Sequence, residues 1–137
     1  TANASQIAWQ LDDTENQMLP RMQTDIMLSK NNNILIIDAK YYSHVTQQQY
    51  GTHTLHSNNL YQIFTYVKNK EFELKNCEHT VSGMLLYAET DENIFLNNTY
   101  QMNGNQISAQ TLNLNQNFSN IARDLDCIVE LNFGDKI

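Results

Sequence analysis

Met22-Gln23-Thr24-Asp25-Ile26-Met27-Leu28-Ser29-Lys30-Asn31-Asn32-Asn33-Ile34-Leu35-Ile36-Ile37-Asp38-Ala39-Lys40 is the stretch that decides how this chain folds. Met22, Thr24, Ile26 and Leu28 alternate with Gln23, Asp25 and Met27, the period-2 pattern of a strand whose two faces meet different surroundings. Ser29 to Asn33 is a polar cluster typical of a turn. Ile34 to Lys40 is an apolar run rich in β-branched residues that ends abruptly in Asp-Ala-Lys, as a central strand does. Two strands joined by so short a turn pair as an antiparallel hairpin. With Lys30 to Asn33 as the loop and Ser29 opposite Ile34, Asp25 faces Asp38. Directly opposed residues have Cβ atoms about 4.5 to 5.5 Å apart, and two like charges there are destabilising unless something neutralises them. Lys40 lies two residues beyond Asp38 and projects from the same face.

Outward from the hairpin, Ile7, Trp9 and Leu11 give a strand pattern over residues 6 to 11, followed by an acidic and polar loop from Asp12 to Gln17 and a new start at Pro20. Tyr41 to Ser57 is polar and without period, which predicts a long loop. Ser57 is placed to cap a helix running to about Lys70, with Leu60, Ile63, Phe64 and Val67 on its buried face. Val81 to Glu89 is predicted as a strand, Asp91-Glu92-Asn93 as a turn, and Ile107 to Leu114 as a further strand. A closing helix is expected from about Phe118 to Glu130, with Phe118, Ile121, Ala122, Leu125 and Ile128 on one stripe. The order strand, strand, strand, helix, strand, strand, helix predicts an α/β layered domain with a mixed sheet flanked by helices.

The 137 residues suit one domain, 1–137. The start at Thr1, without Met, basic segment or apolar stretch, is that expected of a fragment of a longer protein. No apolar run approaches the roughly 20 residues of a membrane-spanning helix. Cys77 and Cys127 are too isolated for a disulfide framework or a zinc site, and a cytoplasmic setting is expected. The net charge of −7 excludes a protein that grips nucleic acid over its whole surface. A local, metal-assisted contact, or affinity supplied by another part or a partner, is compatible with it.

Two carboxylates and an ammonium on one sheet face meet the needs of phosphodiester hydrolysis. Carboxylates suit a hard ion such as Mg²⁺, and the carbonyl of Ala39 is a further candidate ligand beside Asp25 and Asp38. Lys40 could lower the pKa of the attacking water or steady charge developing on the phosphate. No Gly-Lys-Ser/Thr nucleotide loop is present, so any GTP hydrolysis belongs to a partner.

Asp25 followed by Asp38-Ala39-Lys40 resembles the PD-(D/E)xK nuclease motif, with Thr24 where that family has Pro. Met18 to Asp25 with Leu35 to Tyr42 is similar to the nuclease domain of the McrC family, cleavage subunits of McrBC modification-dependent restriction systems. His56 to Tyr66 continues the likeness, with Gln62 and Tyr66 matching a Gln-x-x-x-Tyr helix motif; at i, i+4 they share a helix face. The likeness covers roughly residues 18 to 90. It implies a restriction-endonuclease-like fold, a Mg²⁺-dependent DNA endonuclease with catalytic Asp25, Asp38, Lys40, Gln62 and Tyr66, methylated DNA as substrate, and an AAA+ GTPase of the McrB type as partner. Many PD-(D/E)xK enzymes also carry an acidic residue on a helix before the first core strand, and none is assignable here.

Plainer readings stand beside these. Lys40 could form an ordinary surface salt bridge, and Gln62 and Tyr66 an ordinary polar helix face. His44, His53, His56 and His79 lack a third ligand at matching spacing and read as loop histidines. Of Tyr41 and Tyr42, one should face the core and the other the active face. Trp9 reads as a packing residue. An inert assembly module docking on a AAA+ GTPase, and a related nuclease acting on unmodified or single-stranded DNA in repair, are the alternative functions.

Overall fold

The computed structural model describes residues 2–3, 5–40, 46–49, 52–88, 96–114 and 116–133. Among these the elements are β1 (Ala2–Asn3), β2 (Gln6–Ile7), β3 (Met22–Gln23), β4 (Ile26–Lys30), β5 (Asn33–Lys40), β6 (Thr46–Gln49), β7 (Thr52–Leu55), α1 (Ser57–Glu73), β8 (Thr80–Ala88), β9 (Asn97–Met102), β10 (Asn105–Leu112) and α2 (Phe118–Phe133). Six strands form a mixed sheet in the order β1-β4-β5-β8-β10-β9. β5, β8 and β10 run parallel at its centre, and antiparallel β4 and β9 flank them. Helix α1 connects β5 to β8 and packs on one face, while α2 packs on the other. This is the mixed α/β architecture of the restriction-endonuclease-like class.

Strand β5 shows why both faces are covered. Ile34 and Ile36 join Ile63, Tyr66 and Val67 of α1, together with Val81, Leu85 and Tyr87 of β8, in one core cluster. Leu35 and Ile37 point the other way, into a second cluster with Met84, Leu86 and Ile128 of α2. A central strand buried on both sides reads as continuously apolar, as Ile34 to Ile37 does. The close approach of α1 depends on Gly83 of β8. A Cβ there would lie 2.8 Å from Ile63 Cγ1 and 2.8 Å from Val67 Cγ2. Ile63 and Val67 are completely buried, and each contributes about 2 kcal/mol of apolar burial.

The hairpin has the expected register, Ser29 opposite Ile34 and Ile26 opposite Ile37. Its turn is narrower than the five-residue polar cluster: Lys30 still pairs with Asn33, and Asn31 takes the left-handed conformation (φ 57°) that a two-residue connection favours. The strand predicted over Met22 to Leu28 divides in two. Met22 and Gln23 pair with Ile7 and Gln6, and Thr24 donates its amide to Ser5 O at 2.9 Å. From Ile26 onward the chain pairs with β5 instead, so Asp25 occupies the point of transfer.

Other differences have local causes. The strand expected over residues 6 to 11 is only Gln6–Ile7, because Trp9 turns to donate its indole to Pro20 O at 2.7 Å. It packs against the core, as expected of a packing residue. The long loop predicted from Tyr41 to Ser57 contains the β6–β7 hairpin, built from polar residues that carry no hydrophobic period. Helix α1 takes His56, not Ser57, as N-cap, with no side-chain capping bond. Strand β9 was not predicted; it is a polar edge strand with mostly exposed residues. On α2 only Ile128 of the expected stripe is buried, and Phe118 at the start of the helix is 82% exposed. The expectations for Tyr41, Tyr42, His44 and the turn at residues 91–93 lie outside the described residues, as does the side chain of His53. Among the described residues no helix is long and apolar enough to cross a membrane.

Candidate active site

Alternation along β5 places Asp38 and Lys40 on the face covered by α1, at the carboxyl end of the strand. Asp38 is 5% exposed. Its Oδ2 lies 2.6 Å from the Lys40 ammonium, at an angle that makes no conventional hydrogen bond, so this buried oxygen has an ionic neighbour and an unused lone pair. Burial pushes the Asp38 carboxyl above its ordinary range. Lys40 opposes the shift, and the nearby Asp25 carboxyl adds to it.

Asp25 reaches the site differently. At the transfer point between β3 and β4 it takes no part in the sheet ladder, and its Oδ2 accepts the Ala39 amide at 2.8 Å. Thr24 supports this placement with both polar groups. Its amide donates to Ser5 O, and its hydroxyl donates to the same oxygen at 3.3 Å. A proline at this position would have neither donor.

Helix α1 contributes the remaining groups. Lys40 Nζ donates to Gln62 Oε1 at 2.7 Å, and Gln62 Nε2 donates to the Tyr66 hydroxyl at 2.9 Å. An ammonium can only donate, so the Gln62 amide must turn its oxygen toward Lys40 and its nitrogen toward Tyr66. The result is a chain of contacts, Asp38 to Lys40 to Gln62 to Tyr66, joining β5 to α1. The structure thus brings Asp25, Asp38, Lys40, Gln62 and Tyr66 together.

A hard cation fits this donor set: two neighbouring carboxylates, one of them buried with an oxygen short of a hydrogen-bond partner. Asp25, Asp38 and the Ala39 carbonyl are the candidate ligands. No cluster of three or more His, Cys, Asp or Glu side chains suited to a metal occurs among the described residues. The elements that precede β4 there are short strands, and none carries a further acidic ligand. His56 caps α1 and His79 binds Cys77 O at 2.7 Å through Nδ1, so these two serve local structure.

Sequence reasoning missed one pair on the same face. Asn59, buried in the first turn of α1, donates Nδ2 to the Tyr87 hydroxyl at 3.0 Å. The spacing of Asn59, Gln62 and Tyr66, i, i+3 and i+7, is the signal that places all three on one stripe.

Comparison with known proteins identifies the family. Residues 2–88 match the family described as McrBC 5-methylcytosine restriction system component. Over 115 residues, 84% of this chain, the sequence is 36% identical to the Type IV methyl-directed restriction enzyme EcoKMcrBC of Escherichia coli strain K12. The matched stretch spans 32% of that relative's length.

Proposed function

Because this chain belongs to the McrBC 5-methylcytosine restriction system component family and is McrC-like, we propose that it is the DNA-cleaving centre of a modification-dependent restriction complex. The observation that carries this reading is the convergence of Asp25, buried Asp38 and Lys40 at the end of β5, with Gln62 and Tyr66 closing the site from α1.

The reaction is attack of water on a phosphodiester, with cleavage of the bond from phosphorus to the leaving sugar oxygen. Asp25 and Asp38, with the Ala39 carbonyl, would hold a Mg²⁺ ion. When bound, such an ion lowers the pKa of a coordinated water and offsets charge on the phosphate. Lys40 has a shared role. In the resting site it neutralises Asp38, and during attack its proton-bearing ammonium is positioned to stabilise negative charge on the phosphate oxygens. Gln62 holds the Lys40 amine from one side, which limits its rotamers, and Tyr66 fixes the amide that does so. Burial of Asp38, 5% exposed, lowers the local dielectric, so these charges act strongly on one another.

Methylated DNA is the proposed substrate, and a AAA+ GTPase of the McrB type the proposed partner; GTP hydrolysis belongs to that partner. The decisive test is cleavage of methylated plasmid by the assembled complex carrying Asp38→Ala. Loss of cutting by a folded variant is expected; cutting at the wild-type rate removes Asp38 from the mechanism.

A further inference from the structure

We propose that Asn59 and Tyr87 form an alignment clamp that sets Gln62 against Lys40, which makes both of them positioning residues. The chemical consequence rests on the nuclease reading above, whereas the geometric one does not. Asn59 Nδ2 donates to the Tyr87 hydroxyl at 3.0 Å, and both residues are buried. In the parallel β5–β8 ladder Tyr87 is the direct partner of Lys40, so the two side chains stand next to each other under α1. Asn59 precedes Gln62 by three residues, one helical turn. Helix α1 is therefore fastened to adjacent strands at successive turns, by Gln62 to Lys40 and by Asn59 to Tyr87.

One such bond fixes a distance and leaves the helix free to rotate or slide. The apolar contacts of Ile63 and Val67 hold α1 against the sheet, but they are non-directional. Two hydrogen bonds to neighbouring strands define both rotation and axial position, because a slip of one residue moves each helix partner, the Asn59 donor and the Gln62 acceptor, about 1.5 Å along the axis. The helix also starts without a side-chain capping bond, so its first turn relies on tertiary contacts. A purely packing role at residue 59 would be met by an apolar side chain. A buried amide matched to a buried phenol adds directional specificity instead.

Tyr87→Phe removes the hydroxyl and keeps the ring; Asn59→Leu removes the same bond from the other side at similar volume. Both are to be made in the intact protein. Two quantities are read: steady-state cleavage of methylated DNA, and acetylation of individual lysines by acetic anhydride, resolved by mass spectrometry. Each variant is expected to raise Lys40 acetylation and lower kcat about tenfold, the scale of one lost hydrogen bond, with KM for DNA unchanged. Lys30, Lys68, Lys70 and Lys75 serve as internal references and should stay within about twofold. Placed on Gln62→Ala, neither substitution should raise Lys40 acetylation further, because the clamp acts through Gln62. Unchanged Lys40 acetylation in both variants overturns the proposal. So does a uniform rise at every lysine, which marks a merely stabilising pair. The acetylation readout needs no catalysis, so failure of the nuclease reading leaves it intact.

Discussion

Asp25 Oδ2 accepts the amide of Ala39 at 2.8 Å, so the first carboxylate is anchored to the peptide unit that follows the second. The spacing of the two acids therefore depends on one hydrogen bond as well as on the hairpin register. Asp25→Asn keeps an acceptor for that amide and removes the charge. It should preserve the fold and abolish Mn²⁺ binding in a calorimetric titration, whereas Asp25→Ala should also lower stability by about 1 kcal/mol. An Asn variant that binds Mn²⁺ as tightly as the parent would remove Asp25 from the metal site. The same titration on the unmodified chain separates a working nuclease from an inert assembly module.

Asp38 titrates above the ordinary carboxylate range, chiefly because it is buried. The folded state then holds this proton more tightly than the unfolded state, and stability from this group falls as pH rises from the usual carboxylate range through the raised folded value. Asp38→Asn lacks that dependence. Without divalent metal, its stability advantage over the parent should grow across that window, as read by urea unfolding at successive pH values. Adding Mn²⁺ should reverse the order at neutral pH by stabilising only the parent. A constant difference between the two proteins at all pH values would contradict the burial argument.

Lys40→Met keeps the length of the side chain and removes its charge. Cleavage by the assembled complex should fall at least about 10²-fold, the usual loss for one charge-stabilising group. Mn²⁺ binding should be retained or tightened, since the cation 2.6 Å from Asp38 is gone. Cutting within about tenfold of the parent would assign Lys40 to resting charge balance alone.

Gly83→Ala should destabilise the domain by about 1 to 3 kcal/mol, as overpacking does, because the new methyl meets Ile63 and Val67 at 2.8 Å. Those residues belong to the helix that carries Gln62, so activity should fall with stability. Thermal unfolding checks the first effect. Val67→Ala, which removes one obstructing methyl, should recover part of the loss in the double variant, and strictly additive losses would show that the clash is relieved elsewhere.

The parts of the fold that were legible are those whose partners lie close in sequence. The β4–β5 hairpin needs only a turn and a period, and its register follows from which residues can be buried; this put Asp25 beside Asp38 and Lys40. The helical spacing of Gln62 and Tyr66 was legible for the same reason. Partner choice at a distance was not. Ser5 draws Thr24 out of the hairpin strand, and nothing in residues 22 to 28 announces that change. Strand β9 is an exposed edge paired on one side only, so no alternation marks it. The stripe on α2 was real as a pattern, but the helix lies on the sheet through Ile128, Val129 and Phe133, near its end. The Asn59–Tyr87 contact joins residues 28 apart and required the parallel register of β8 to be known.

The cations of α1 outside the site, and Lys75 just beyond its end, are already engaged. Lys68 pairs with Glu71, Lys70 with Glu73, and Lys75 lies over the Phe72 ring, on a chain with a net charge of −7. A domain with this charge balance repels duplex DNA at long range. On the proposed nuclease reading, cutting would therefore await delivery of the strand by a partner with a firmer grip.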